Sequence, residues 1–258
     1  MNRIILLILT LLIGLQSYAI KPTRTYSNTP EMMELEHETL RIETEDRVSL
    51  NVWHLPSADP GTPIIISQSD AGNMGDWLYL GLYLQAYGLD VWMYDYRGFG
   101  ESEDFTIIQN QLFHLEFIDD LAAVCEHVYS KTGKAPVLMG ISMGSIIVNE
   151  YLRKSDVPTS HLVFDGYVAD PQEWIDKLAK DGKKVRLPKG YKNTKYKQKN
   201  TNTLYIVAKN DQYSTEADIP KGKDNMQQVK VFDCDHISGF FKYPIEYTES
   251  ISAFLNDN

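Results

Sequence analysis

Ala135-Pro-Val-Leu-Met-Gly-Ile-Ser-Met-Gly144 reads as a buried strand, a sharp turn and a helix that begins at about Met143. Inside the turn, Gly140-Ile141-Ser142-Met143-Gly144 has the G-x-S-x-G spacing. Holding a serine oxygen at the tip of a strand-to-helix turn forces that serine into strained backbone geometry. The flanking backbones then pass so close that the residues two before and two after must be small. The turn also leaves the Met143 amide at a helix start, where it can donate to a developing oxyanion. So short a pattern also arises by chance, and the surrounding chain has to supply its context.

That context is an alternation of strands and helices. Leu40 to Glu45 and Arg47 to Leu55 alternate apolar with polar residues across a short turn, the pattern of an antiparallel hairpin. Ser57-Ala-Asp-Pro-Gly61 is a turn, and Thr62 to Ser67 is a continuous apolar run, as expected of a strand covered on both faces. A loop over Gln68 to Asn73 leads to a helix over Trp77 to Tyr87, a strand over Leu89 to Tyr94 and a long helix over Phe113 to Tyr129. Beyond Ser142 the helix continues to Leu152. His161 to Asp165 is a strand, Pro171 to Ala179 a helix, Thr203 to Ala208 and Gln228 to Phe232 strands, and Ile245 to Leu255 a closing helix. This rhythm predicts an α/β chain with a mostly parallel central sheet, helices on both faces and an antiparallel hairpin at its start. Ligands of such sheets bind at the carboxyl ends of the strands, where Ser142 falls.

The 258 residues, 43% of them hydrophobic, suit one globular domain, expected over 20–258. A net charge of -10 gives little general attraction to nucleic acid or anionic membranes, so neither is expected as a partner. Residues 1–19 have the layout of a secretory signal peptide: a basic start at Arg3, an apolar run from Ile4 to Leu15, and Ser17 and Ala19 as small residues before a cut after Ala19. The run is short for a bilayer span, so export to the periplasm or beyond is expected, without a stable membrane anchor. Ile20 to Pro30 reads as a loose lead-in. Lys177 to Lys199 is crowded with Lys and Arg and is expected to be a solvated connection, at most a short basic lid. Cys125 and Cys234 fall in places expected to lie far apart, as two unpaired buried thiols.

Serine is a poor nucleophile at neutral pH and needs a neighbouring base, which in turn needs an orienting acid. Asp211 follows the Thr203 to Ala208 strand, and His236 follows the last strand in Asp233-Cys-Asp-His-Ile-Ser-Gly239. Both loops belong at the same sheet edge as Ser142, in the order serine, acid, histidine. Asp165 and Asp170, after an earlier strand, are rival acids, and His37, His54, His114, His127 and His161 fit the base position less well. His161 and Asp165 lie on a strand rather than a helix face, so no metal site is expected, and no organic cofactor.

Two further motifs carry a resemblance. Asp95-Tyr-Arg-Gly-Phe-Gly-Glu-Ser102 resembles the D-x-R-G-x-G-x-S turn of the α/β-hydrolase fold, and Asp70-Ala-Gly-Asn-Met-Gly-Asp-Trp77 is similar to that family's oxyanion loop. From about Leu40 onward the chain looks like the small, nearly lidless serine hydrolases of the monoglyceride-lipase and serine-aminopeptidase type. The resemblance implies an α/β-hydrolase fold with Ser142, Asp211 and His236 as catalytic triad and the amides of Met143 and Asp70 as oxyanion hole. Asp95 and Arg97 are expected to hold their turn. Many relatives read His-Gly-Asn-Ala-Gly-Asn where this chain has Gln68-Ser69-Asp70-Ala71-Gly72-Asn73, which sets a carboxylate beside the developing oxyanion. Ala208 stands where relatives often carry glycine. The expected function is an exported serine hydrolase cleaving carboxylic esters of short or medium acyl chain. Peptidase, thioesterase or acyltransferase activity on the same triad, or a non-catalytic binding protein, are the alternatives. Trp77, Tyr96, Phe99, Tyr167 and Trp174 are candidates for a pocket wall or ordinary core.

Overall fold

The computed structural model describes residues 18–58, 61–192, 201–221 and 226–257. The apolar run and most of the signal-peptide layout lie outside these residues, as do part of the Ser57 to Gly61 turn and the end of the Lys177 to Lys199 stretch.

The main sheet is built from β2 (Glu38–Glu43), β3 (Ser49–Leu55), β4 (Pro63–Ser67), β6 (Asp90–Tyr94), β7 (Val137–Ile141), β8 (His161–Asp165), β9 (Asn202–Ala208) and β10 (Gln227–Phe232). Their order across the sheet is β10-β9-β8-β7-β4-β6-β3-β2. The β2–β3 and β3–β6 pairs are antiparallel and the remaining pairs parallel. Successive side chains of a strand point to opposite faces, so every central strand serves two cores. Ile64 and Ile66, Val91 and Met93, and Val137 and Met139 pack with α1 (Leu78–Ala86) and α6 (Pro244–Asn256). Ile65, Trp92, Tyr94 and Leu138 pack on the other face with α2 (Glu116–Thr132) and α3 (Met143–Lys154). Two-sided burial is the reason the central strands read as unbroken apolar runs. Among the described residues no helix is long and apolar enough to cross a membrane.

Local chemistry sets the helix limits. Asn73 caps a short 3-10 turn over Met74–Trp77 by accepting from the Gly75 amide, and the turn leads directly into α1. The helix expected from Phe113 starts three residues later, because His114 turns back to accept the Ile108 amide, and α2 then runs to Gly133, whose positive φ of 67° ends it. α4 (Pro171–Lys180) is capped by Asp170, which accepts from the Gln172 and Glu173 amides. A four-residue helix, α5 (Gly239–Lys242), precedes α6.

The largest departure from expectation is at the start. Residues 20–26 are a fixed strap. β1 (Lys21–Pro22) pairs in parallel with β5 (Ala71–Gly72), the centre of the expected Gln68 to Asn73 loop. Ile20 is fully buried. The Lys21 and Thr23 amides donate to the carbonyls of Asp70 and Gly72, and the Gly100 amide donates to Thr23. The Tyr26 hydroxyl donates to Asp95 and accepts from the Asn51 side chain and the Glu101 amide. Polar residues that bond to loop backbone leave no hydrophobic period to read.

Cys125 packs in the core between α2 and the sheet, Cys234 in the core on the opposite face, and both thiols are free and buried. Burial pushes the Cys125 thiol up to about 12 and raises that of Cys234.

Arg97 is buried, with Nε donating to Asp120 Oδ1 at 2.8 Å and its amide to Asp120 Oδ2 at 2.9 Å, while its terminal nitrogens grip the half-exposed Asp46 at 2.6 and 2.9 Å. Removing one partner of a buried pair strands the other charge. Asp120→Ala is therefore expected to lower stability by about 3–5 kcal/mol, whereas Asp46→Ala should cost about 1 kcal/mol. Urea denaturation of both variants checks the ranking.

Candidate active site

Ser142 ends the β7 turn with φ 51° and ψ -111°, the strained geometry expected of the motif. Three bonds over-determine it. The Ser142 amide donates to Asp165 O at 2.8 Å, and both the Ser145 amide and the Ser145 hydroxyl donate to Ser142 O. The need for small neighbours is visible in the backbone. A β-carbon on Gly144 would stand 1.9 Å from Ser67 O, and one on Gly140 2.8 Å from Ser145 Cα.

The loops after β9 and β10 bring Asp211 and His236 to this serine. Ser142 Oγ lies 2.9 Å from His236 Nε2, and His236 Nδ1 lies 2.5 Å from Asp211 Oδ2. Asp211 Oδ1 accepts the amides of Tyr213 and Ser214 at 2.8 and 3.1 Å. An acceptor-only carboxylate so held requires Nδ1 to carry the imidazole proton, which leaves Nε2 free to accept from the serine hydroxyl. The rival Asp170 serves as the α4 cap.

Asp165, the other rival, sits behind the serine. It is buried and accepts from the Tyr247 hydroxyl at 2.8 Å. Gly166, next in the chain, has φ 64°, and a β-carbon there would meet His236 Cε1 at 2.6 Å. The glycine makes room for the imidazole. The sequence signal for it is the Asp165-Gly166 pair at a strand end. Trp174 on α4 sets its ring 5.4 Å from the imidazole on another side.

A cavity of about 160 Å³ opens beside Ser142 and His236. Its walls include Leu112, Met143, Ile146, Val168, Trp174 and Leu178, a mostly apolar set. Of the five aromatic candidates, Trp174 reaches this wall, while Tyr96 and Phe99 are fully buried against Phe117. Lys183 and Val185, from the basic stretch, also reach the wall, and that stretch is fastened below by the Arg186 amide to Asn110 O and the Leu112 amide to Arg186 O. Its described residues, 177–192, thus contribute to the pocket edge rather than being only a solvated connection.

Met143 and Asp70, the expected oxyanion donors, both line this cavity. The Asp70 loop is held from beneath by Asp95, which accepts from the Met74 amide at 2.8 Å, from Gln68 Nε2 at 3.2 Å and from Tyr26. Asp95 thus secures the Asp70 loop as well as its own turn, and burial pushes it up to about 6. Burial raises the Asp70 carboxyl too, against the pull of its own amide and of His236, Lys21 and Lys183.

Burial also pushes Asp165 up to about 6. Between pH 4 and 6 the folded chain therefore holds a proton that the unfolded chain has released, so this group weakens stability as the pH rises through that window. Asp165→Asn removes the titration and keeps a partner for Tyr247. The stability of the variant relative to wild type is expected to rise between pH 4 and pH 7 by on the order of 2 kcal/mol, read from urea midpoints at each pH.

A family model described as serine aminopeptidase, S33, matches residues 71–174, from the oxyanion loop to α4. The uncharacterized membrane protein YNL320W of Saccharomyces cerevisiae is 30% identical over 81 residues, 31% of this chain and 28% of that one. The uncharacterized protein YfhR of Salmonella typhimurium is 30% identical over 141 residues, 51% of this chain and 44% of that one. The chain thus matches less than half the length of these curated relatives. Among solved structures, the Pyrococcus furiosus esterase Pf2001 superposes with a TM-score of 0.75 at 18% identity, over 92% of this chain and 97% of that one, a likeness of fold. These matches agree with the sheet order: the chain has the α/β-hydrolase fold, and its residues 71–174 are similar to the serine aminopeptidase family.

Proposed function

We propose that the chain is an exported serine hydrolase that cleaves carboxylic esters of short or medium acyl chain through an acyl-enzyme. The observation that carries this reading is the continuous hydrogen-bonded line from Ser142 through His236 to Asp211, opening on an apolar cavity. In this mechanism Ser142 Oγ attacks the acyl carbon while His236 Nε2 takes its proton. The carbonyl oxygen becomes an oxyanion facing the amides of Met143 and Asp70. The tetrahedral adduct collapses, and His236 returns the proton to the departing alkoxide. Water then repeats the sequence on the acyl-enzyme, with His236 as base, and releases the acid. Asp211 keeps the proton on Nδ1 and balances the imidazolium charge.

Substrate size follows from the cavity. The wall formed by Leu112, Trp174 and Leu178, which is independent of residues 18 and 19, suits a short acyl group and leaves a long tail without cover. The match to an esterase fold supports the reaction class, and the matched serine aminopeptidase model makes a peptide bond the second substrate to assay.

Fluorophosphonate labelling of the wild type, lost in Ser142→Ala and His236→Ala, is the expected result, with nitrophenyl ester hydrolysis fastest for short chains and declining as the chain outgrows the cavity. Absence of labelling in well-folded wild type would rule out this function. Asp211→Asn should lower kcat by about 10⁴-fold through loss of the tautomer. Gly166→Ala, by displacing the imidazole, should lower kcat/KM by about 10²-fold with little change in fold by circular dichroism. Asp70→Asn keeps the donor amide and removes a like charge from beside the oxyanion, so kcat/KM at pH 8 should rise a few-fold.

A further inference from the structure

The pocket wall contains two residues that none of this chemistry uses. Tyr18 and Ala19 line the cavity together with Ser142, Met143, Asp70 and His236. They are the last two residues of the signal-peptide layout, just before the expected cut. Burial changes abruptly across that point, from 41% exposure at Tyr18 to none at Ile20.

We infer that the Ala19–Ile20 peptide bond is a processing seam that gates the active site. While it is intact, Tyr18 and Ala19 close one side of the cavity, and its hydrolysis opens that side and leaves Ile20 as an anchored N-terminus. The step is ordinary amide hydrolysis by a signal peptidase. Water adds across the bond, Ala19 leaves as a carboxylate with the upstream chain, and Ile20 keeps the nitrogen as an ammonium.

The bonding on the two sides of the seam supports this. Downstream, the strap has fastenings of its own. Lys21 donates to Asp70 O at 2.8 Å and Thr23 to Gly72 O at 2.9 Å, and the Asn73 amide group donates to Thr23 Oγ1 and Thr25 O, each at 2.9 Å. The oxyanion loop therefore keeps its support after the cut. At the seam, the Ala19 and Ile20 amides share one acceptor, Gln109 O, at 2.7 and 3.1 Å. Cleavage removes the first donor and converts the second into an ammonium, whose bond to the same carbonyl is charge-assisted and stronger. The new positive charge also arises one residue from Lys21, whose amide already bonds Asp70 O.

The inference rests on Ser142 being the reactive nucleophile, and its test separates the two. The full chain is expressed in a bacterial host with a Sec export pathway, as wild type and as Ser17→Arg, which blocks the cut while keeping Tyr18 and Ala19. Mass spectrometry of the wild type should show a chain beginning at Ile20. Both forms are then treated with a fluorophosphonate in the same detergent. The uncut Ser17→Arg form should label at least about tenfold more slowly, and adding Tyr18→Gly to it should recover much of the rate. A mature chain beginning elsewhere, or equal labelling of cut and uncut forms that Ser142→Ala abolishes, would overturn the seam and leave the hydrolase standing. Labelling of neither form would overturn both.

Discussion

The near-contact of the β7 and α3 backbones is the constraint on which the site depends. Gly140 and Gly144 allow it, and a single methyl group at Gly144 would stand 1.9 Å from Ser67 O. Because β4 and β7 are neighbours in the sheet, that oxygen belongs to the strand that leads into the oxyanion loop. One close approach therefore fixes two things at once, the outward-facing serine and the place of the loop that carries Asp70. The strain at Ser142 persists because the Asp165 carbonyl and the Ser145 hydroxyl hold it from both sides.

A second layer of support is electrostatic. Asp95 is buried at the end of β6 and collects donors from three separate segments: Tyr26 in the strap, Gln68 in the loop and the Met74 amide at the 3-10 turn. Burying a carboxyl is costly unless hydrogen bonds replace its water, and the loop's shape is what supplies them. The turn after β6 and the Asp70 loop are thus one unit joined through this side chain.

Much of this was legible in the sequence because apolar runs and strand ends are local signals. The strands buried on both faces announced themselves by composition, and Asp211 and His236 could be placed because each follows a strand whose carboxyl end faces Ser142. The strap was not legible. Much of its hold comes from main-chain bonds to residues some fifty positions away, such as Lys21 to Asp70 and Thr23 to Gly72, which impose no periodicity on residues 20–26. Trp174 could be proposed for the pocket but not told from core, since helix α4 buries Trp174, Ile175 and Leu178 together and only the tertiary placement turns two of them toward the cavity. α2 starts later than the apolar pattern predicts because Phe113 and His114 are buried like helix residues while their backbone still turns.

The two cysteines lie on opposite sides of the sheet, which stands between them like a wall. Thiol–disulfide exchange needs a thiolate, and burial keeps both sulfurs protonated, the one on α2 up to about 12. The native fold therefore neither uses an internal crosslink nor presents an attacking sulfur, so its architecture is indifferent to the redox poise of whichever compartment it occupies. An oxidising environment gains no purchase on the folded molecule, and only a chain that has not yet closed its two cores would expose those thiols to mispairing.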